Sequence, residues 1–162
     1  VHPLAECEIA FVTKAELAGH SCSAEDARAA TDFVVPAIEI IDSRFSGFSF
    51  DLESVVCDNG SSARFILGGR PRRLDGLDLR TIGAVLEING RPVAMGAGAE
   101  VLNDPSEAIA MMVRVLASIG ETLPAGSIAM SGAITAAHPV KSGDGVRASF
   151  YQLGSVSVHF EA

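Results

Sequence analysis

Ala5-Glu6-Cys7-Glu8-Ile9-Ala10-Phe11-Val12 and, further on, Val35-Pro36-Ala37-Ile38-Glu39-Ile40-Ile41 are two apolar runs interrupted by acids. Residues 6–13 and 33–41 read as strands, rich in Ile, Val and Phe. In a strand, residues i and i+2 share a face, so Glu6 and Glu8 aim together. Pro36 lacks an amide hydrogen, which is expected to place the second strand at an edge or a bulge. Two like charges in a half-buried site need a proton or a cation. A site made of carboxylates alone selects a hard ion, Mg²⁺ or Mn²⁺. The same spacing also fits an exposed edge strand carrying two outward acids.

Outward from these runs, the order is strand-rich. Ser23, with Asp26 three residues on, caps a short helix over 24–31. Residues 43–62 read as irregular, with Phe45, Phe48 and Phe50, and Ala63–Leu67 as a strand stopped by Gly68-Gly69. Arms Thr81–Ile88 and Arg91–Gly98 flank Asn89-Gly90, the signature of a type I′ hairpin. Asp104-Pro105-Ser106-Glu107 opens a second helix, whose stripe Ile109, Met112, Val113, Leu116 ends near Gly120. Strands follow at 127–131, 144–150 and 153–160. Strands and helices do not alternate as βαβ, which predicts an α+β, β-rich fold with mixed or antiparallel sheets and two short helices.

Composition narrows the function. The chain has 162 residues, 48% apolar and 20% charged, enough for a single domain with a real core. A net charge of −8 argues against nucleic acid. Arg70-Pro71-Arg72-Arg73, the one basic cluster, reads as a solvated loop. Three cysteines without framework or metal spacing suit a reducing cytoplasm, as small buried hydrophobes. No apolar run is long enough for a membrane span. The chain begins Val1-His2-Pro3-Leu4 with Glu6 close behind, so an N-terminal segment is expected to be missing.

Other motifs are less pointed. Gly96-Ala97-Gly98 lacks the spacing of a nucleotide loop. Asp58-Asn59-Gly60-Ser61-Ser62 fits either a plain turn or a backbone cradle for a carboxylate. Ser131-Gly132-Ala133-Ile134-Thr135 is a second loop of small polar residues. Neither has a general base beside it, so a serine hydrolase is unsupported. His2, His20, His138 and His159 stand without partners at any ligand spacing. Arg44 is expected to neutralise Asp42.

Taken together, these residues resemble the 2-oxo-acid hydratase/decarboxylase branch of the fumarylacetoacetate hydrolase superfamily. The resemblance rests on the Glu6-x-Glu8 run, Pro36-Ala-Ile-Glu39-Ile-Ile-Asp42-Ser-Arg44 and Asp58-Asn59-Gly-Ser61-Ser62. Ser131-Gly132 through Thr135, Pro139-Val-Lys-Ser-Gly143-Asp144 and Leu153-Gly154-Ser155-Val-Ser-Val extend it over nearly the whole chain. His2-Pro3, Phe11-Val-Thr-Lys14, Phe48 through Leu52, Asp78 through Thr81, and Gly120-Glu121 through Gly126 are closer to the branch's decarboxylases than to its hydratases. Gly60 stands where the family usually has alanine.

The resemblance implies a roll of mixed β-sheets in a single metal-binding catalytic domain spanning 1–162. It implies Glu6, Glu8 and Glu39 as ligands of Mg²⁺ or Mn²⁺, and Ser61, Ser62 and, less directly, Thr135 as contacts for a substrate carboxylate. The implied substrate is a small 2-oxo dicarboxylate, 2-oxo-3-hexenedioate, losing CO₂ to give 2-hydroxypenta-2,4-dienoate. Hydration of the latter is the enzymatic alternative, and a non-catalytic assembly role a third. A homo-oligomer and association with a sister hydratase are implied partners. The family's Gly-x-Lys-x-Gly segment and its nearby aspartate have no counterpart here, so the acid–base lysine is expected upstream and the chain alone is expected to turn over poorly.

Overall fold

The structure, a computed structural model, describes residues 1–161. Its centre is an antiparallel pair, β1 (Leu4–Thr13) and β2 (Thr31–Ile41). The register sets Glu6 directly opposite Glu39 and Glu8 opposite Ala37. On the far side of β2 runs β3 (Ser62–Leu67), with Phe65 opposite Glu39. A second sheet has the order β5-β4-β8-β9. Its strands are β4 (Gly83–Ile88), β5 (Arg91–Ala97), β8 (Gly145–Phe150) and β9 (Gly154–His159). Short strands β6 (Ile128–Met130) and β7 (His138–Pro139) pair with the two ends of β1. Every ladder between these named strands is antiparallel, so the two sheets curl over the core without a parallel crossover.

Strand alternation gives the central sheet two different faces. Cys7, Ile9 and Phe11 of β1, with Val34, Ile38 and Ile40 of β2, enter the main core. They meet Leu86, Val146 and Ala148 of the second sheet there. Each fully buried large side chain contributes about 1.5–3 kcal/mol. The opposite face carries Glu6, Glu8 and Glu39, then a small apolar cluster of Ala10, Val35 and Ala37 beside Phe33, Leu67 and Met130.

Helix α1 (Ala24–Ala30) begins with the expected capping box, in which Ser23 and Asp26 exchange hydrogen bonds. It runs into β2 with no linker, so Thr31 is strand rather than helix. Helix α3 (Pro105–Ser118) is capped by the Asp104 carboxylate at Ser106 N, 2.8 Å, and buries Ile109 and Val113. The hairpin turn forms as its sequence predicts, with Asn89 and Gly90 both at positive φ.

Three expectations need correction. Residues 52–57, expected to be irregular, form helix α2 (Leu52–Cys57), capped by Asp51 at Ser54 N, 2.8 Å. None of its residues is buried, so it carries no apolar stripe to read. Pro36 lies at no bulge and in an interior strand: it stands in register opposite Ile9, and the β3 ladder on the other side begins only at Ala37, so β2 is unpaired by β3 at Pro36 itself. Its carbonyl accepts from Gly68 N at 2.6 Å, so its ring nitrogen faces the same side. There the β3 ladder has ended, so the missing donor falls outside that ladder. Cys7 and Cys22 are buried, but Cys57 is exposed at the end of α2.

Candidate metal centre

Glu6, Glu8 and Glu39 each bring a carboxylate oxygen to within 4.8 Å of the others. The i, i+2 spacing on β1 and the cross-strand register from β2 bring the three residues together. Glu8 is 1% exposed and Glu6 9%, while Glu39 is half-buried. Burial, and then the Glu39 charge, push the Glu6 carboxyl up to about 7. Burial, followed by hydrogen bonding and repulsion from Glu39, pushes Glu8 up to about 9. Metal-free, burial and mutual repulsion thus favour the protonated forms of Glu6 and, more strongly, Glu8. A divalent ion would replace those protons with a charge that all three oxygens face. Three convergent carboxylates with no nitrogen or sulfur donor fit a hard ion of the magnesium type.

The loop between β6 and β7 supports Glu8. Gly132 N donates to Glu8 Oε2 at 2.8 Å. On either side, the loop replaces a missing strand with hydroxyls. Thr135 Oγ1 accepts from Cys7 N and Ser131 Oγ accepts from Ile9 N, both at 3.1 Å. The loop's own amides at Ser131 and Ile134 donate back to the carbonyls of Ile9 and Cys7. The edge of β1 is thus satisfied where no strand covers it. The same loop rests on β5, since a Cβ at Gly96 would lie 1.9 Å from the Ile134 carbonyl oxygen. Gly96 therefore serves close packing.

Of the three proposed substrate contacts, one has a hydroxyl that reaches the acids. Ser62 Oγ donates to Glu39 Oε1 at 2.5 Å. Ser61 is buried, with its hydroxyl 3.4 Å from Asp58 Oδ2. Thr135 Oγ1 is taken up by the Cys7 amide. Arg44 does not neutralise Asp42. It pairs with the buried carboxylate of Asp58, which also accepts from Ser43 Oγ at 2.9 Å and Arg44 N at 3.1 Å. The Arg44 contact, chiefly, holds the Asp58 carboxyl below the usual carboxylate range. Asp42 instead accepts from His2 N at 2.9 Å.

Sequence reading named the three acids but missed the groups that orient them. Gly132 contacts Glu8 across most of the chain's length, and no local pattern marks that contact. The Asp58–Ser62 motif was the available signal for Ser62, yet it does not reveal which hydroxyl turns outward. Cys7, between the two acids, points into the core, and burial pushes its thiol up to about 12, which leaves it unreactive.

Comparison with known proteins gives this geometry a family. A model of the fumarylacetoacetate (FAA) hydrolase C-terminal family matches residues 2–161. The 4-oxalocrotonate decarboxylase of Pseudomonas sp. (strain CF600) is 52% identical over 160 residues, covering 99% of this chain and 61% of that protein. The 2-keto-4-pentenoate hydratase of Paraburkholderia xenovorans (strain LB400) is 36% identical over 160 residues, with 99% and 60% covered. Among solved structures, the 4-oxalocrotonate decarboxylase of Pseudomonas putida G7, complexed with magnesium and adipate, superposes with a TM-score of 0.95 at 51% identity. That match covers 99% of this chain and 61% of the other. The chain thus spans about three fifths of the length of these relatives. This chain, matched almost end to end by the family model and bearing three convergent acids on one sheet face, belongs to the fumarylacetoacetate hydrolase C-terminal family.

Proposed function

We propose that this chain is the metal-binding part of a decarboxylase acting on 2-oxo-3-hexenedioate and releasing CO₂ and 2-hydroxypenta-2,4-dienoate. The observation that carries the proposal is the buried convergence of Glu6, Glu8 and Glu39. In this reading the three carboxylates hold Mg²⁺ or Mn²⁺. When bound, the ion supplies Lewis-acid stabilisation of the charge that builds on the 2-oxo oxygen as CO₂ departs. Gly132 N–H keeps Glu8 aimed at the cluster. An apolar cluster of Ala10, Val35 and Ala37 lies on the same face, and the burial of Glu6 and Glu8 strengthens the charge interactions between them. No acid–base group is assigned within this chain.

Greater identity to the decarboxylase than to the hydratase favours CO₂ loss over hydration. The same metal would polarise the 2-oxo group in either case. Assembly as a homo-oligomer, association with a sister hydratase and a cytoplasmic setting accompany the reading. No helix among the described residues is long and apolar enough to cross a membrane. Supplying 2-oxo-3-hexenedioate with Mg²⁺ to the protein that carries this chain should release CO₂, and Glu39→Gln should abolish it. Hydration of 2-hydroxypenta-2,4-dienoate without CO₂ release from the dicarboxylate would move the assignment to the hydratase.

A further inference from the structure

The turn before β3 is unusual. Asn59, Gly60 and Ser61 all have positive φ, at 55°, 64° and 61°. Two of the three carry a Cβ, so the conformation is costly and persists only where its surroundings impose it. Those surroundings are the buried Asp58 carboxylate and the backbone on either side. Asp58 Oδ2 gathers Ser43 Oγ, Arg44 N and Ser61 Oγ, while Arg44 closes over Oδ1. Ser61 N donates to Asp58 O at 2.9 Å, and Asp42 N donates to Ser61 O at 2.8 Å. The turn is thereby tied to the end of β2. Its outcome is one side chain: Ser61 turns inward, and Ser62, the first residue of β3, sends its hydroxyl to Glu39.

We infer that Ser62 is a positioning residue for Glu39, delivered by the Asp58-keyed turn, rather than a contact for substrate. Glu39 is the least buried of the three acids and sits on a different strand from the other two. Glu8 has the Gly132 amide to orient it, and Glu39 has the Ser62 hydroxyl. By donating to Oε1, Ser62 restrains the rotation of the Glu39 carboxylate as it faces Glu6 and Glu8. Groups that orient a ligand in this way are typically worth 10–100-fold in metal affinity. The inference rests on the three acids being the metal centre.

The test is Mn²⁺ binding, followed by electron paramagnetic resonance, to the wild type and to Ser62→Ala, Ser62→Thr and Glu39→Gln. Ser62 is exposed, so the metal-free melting temperature of Ser62→Ala should match the wild type. Its Mn²⁺ affinity should fall by about ten-fold. Ser62→Thr, which keeps the hydroxyl, should restore affinity. Wild-type affinity in Ser62→Ala, with Glu39→Gln still losing the ion, would overturn the positioning role and leave the metal centre standing. A raised KM for the 2-oxo acid in the Ser62→Ala form of the protein that carries this chain, with unchanged Mn²⁺ affinity, would also overturn it and make Ser62 a substrate contact. Undiminished binding in Glu39→Gln would instead remove the centre itself.

Discussion

Glu8→Gln should stabilise the metal-free protein while destroying its response to metal. Glu8 is 1% exposed, and its carboxyl is raised from the ordinary 4.5 to about 9 by burial and by Glu39. A group whose folded-state value is raised contributes its full stability below the unfolded value. That contribution is lost as pH climbs through the folded one. Between pH 4.5 and about 9, metal-free protein therefore loses stability steadily with rising pH through this residue. At pH 7.5, three units above the ordinary value, the loss is on the order of a few kcal/mol. Glutamine has the same shape and cannot ionise. Its amide oxygen can accept from Gly132 N–H, and its NH₂ can donate to Glu39. Urea unfolding in the presence of a chelator, at pH 5 and at pH 7.5, reads the difference. The two proteins should nearly coincide at pH 5 and diverge in favour of Glu8→Gln at pH 7.5. Added Mg²⁺ should then stabilise the wild type, by linkage, and not the variant. Parallel pH profiles, or a variant less stable at pH 7.5, would refute the claim that Glu8 is held against its own ionisation.

Ion binding must displace the protons held by Glu6 and Glu8, so Mn²⁺ affinity should rise with pH between 6 and 8, by up to about ten-fold per unit for each proton released. Calorimetry in two buffers of different ionisation enthalpy counts those protons, and a pH-independent affinity would contradict the burial argument. Gly96→Ala should cost roughly 1–3 kcal/mol, because its Cβ would meet the Ile134 carbonyl oxygen at 1.9 Å. It should also weaken metal binding by displacing the loop that holds Glu8; full Mn²⁺ affinity in this variant would detach the loop from the site. Ile38→Ala, at a fully buried position of β2, should lower unfolding stability by about 2–5 kcal/mol in chemical denaturation.

What the sequence made legible was set by local periodicity. The alternation in residues 5–12 separates Cys7, Ile9 and Phe11 from Glu6 and Glu8, and the structure puts these sets on opposite faces. Asn89-Gly90 and Asp104-Pro105 carry their own backbone constraints, so the hairpin and α3 could be read directly. Helix α2 could not, because it lies on the surface and its only marker is the Asp51 cap. Pro36 misled because the rule for proline in sheets concerns a missing donor, and here that side of the strand faces a gap just past the end of β3. At the site, the acids announced themselves as charges in apolar runs. Their supports did not: Gly132 acts through its backbone, and Ser131 and Thr135 substitute hydroxyls for strand carbonyls. Arg44 was assigned to the nearer acid in sequence, whereas the buried charge of Asp58 claims it.

The most direct test of the central claim is Mn²⁺ stoichiometry and affinity by electron paramagnetic resonance on the wild type and Glu39→Gln, with circular dichroism to verify the fold of each. Three carboxylates converging from two strands predict one tightly bound ion per wild-type chain and its loss in the folded variant. Equal binding by both proteins, or no bound ion in the wild type near pH 8, would contradict the assignment of Glu6, Glu8 and Glu39 as a metal centre.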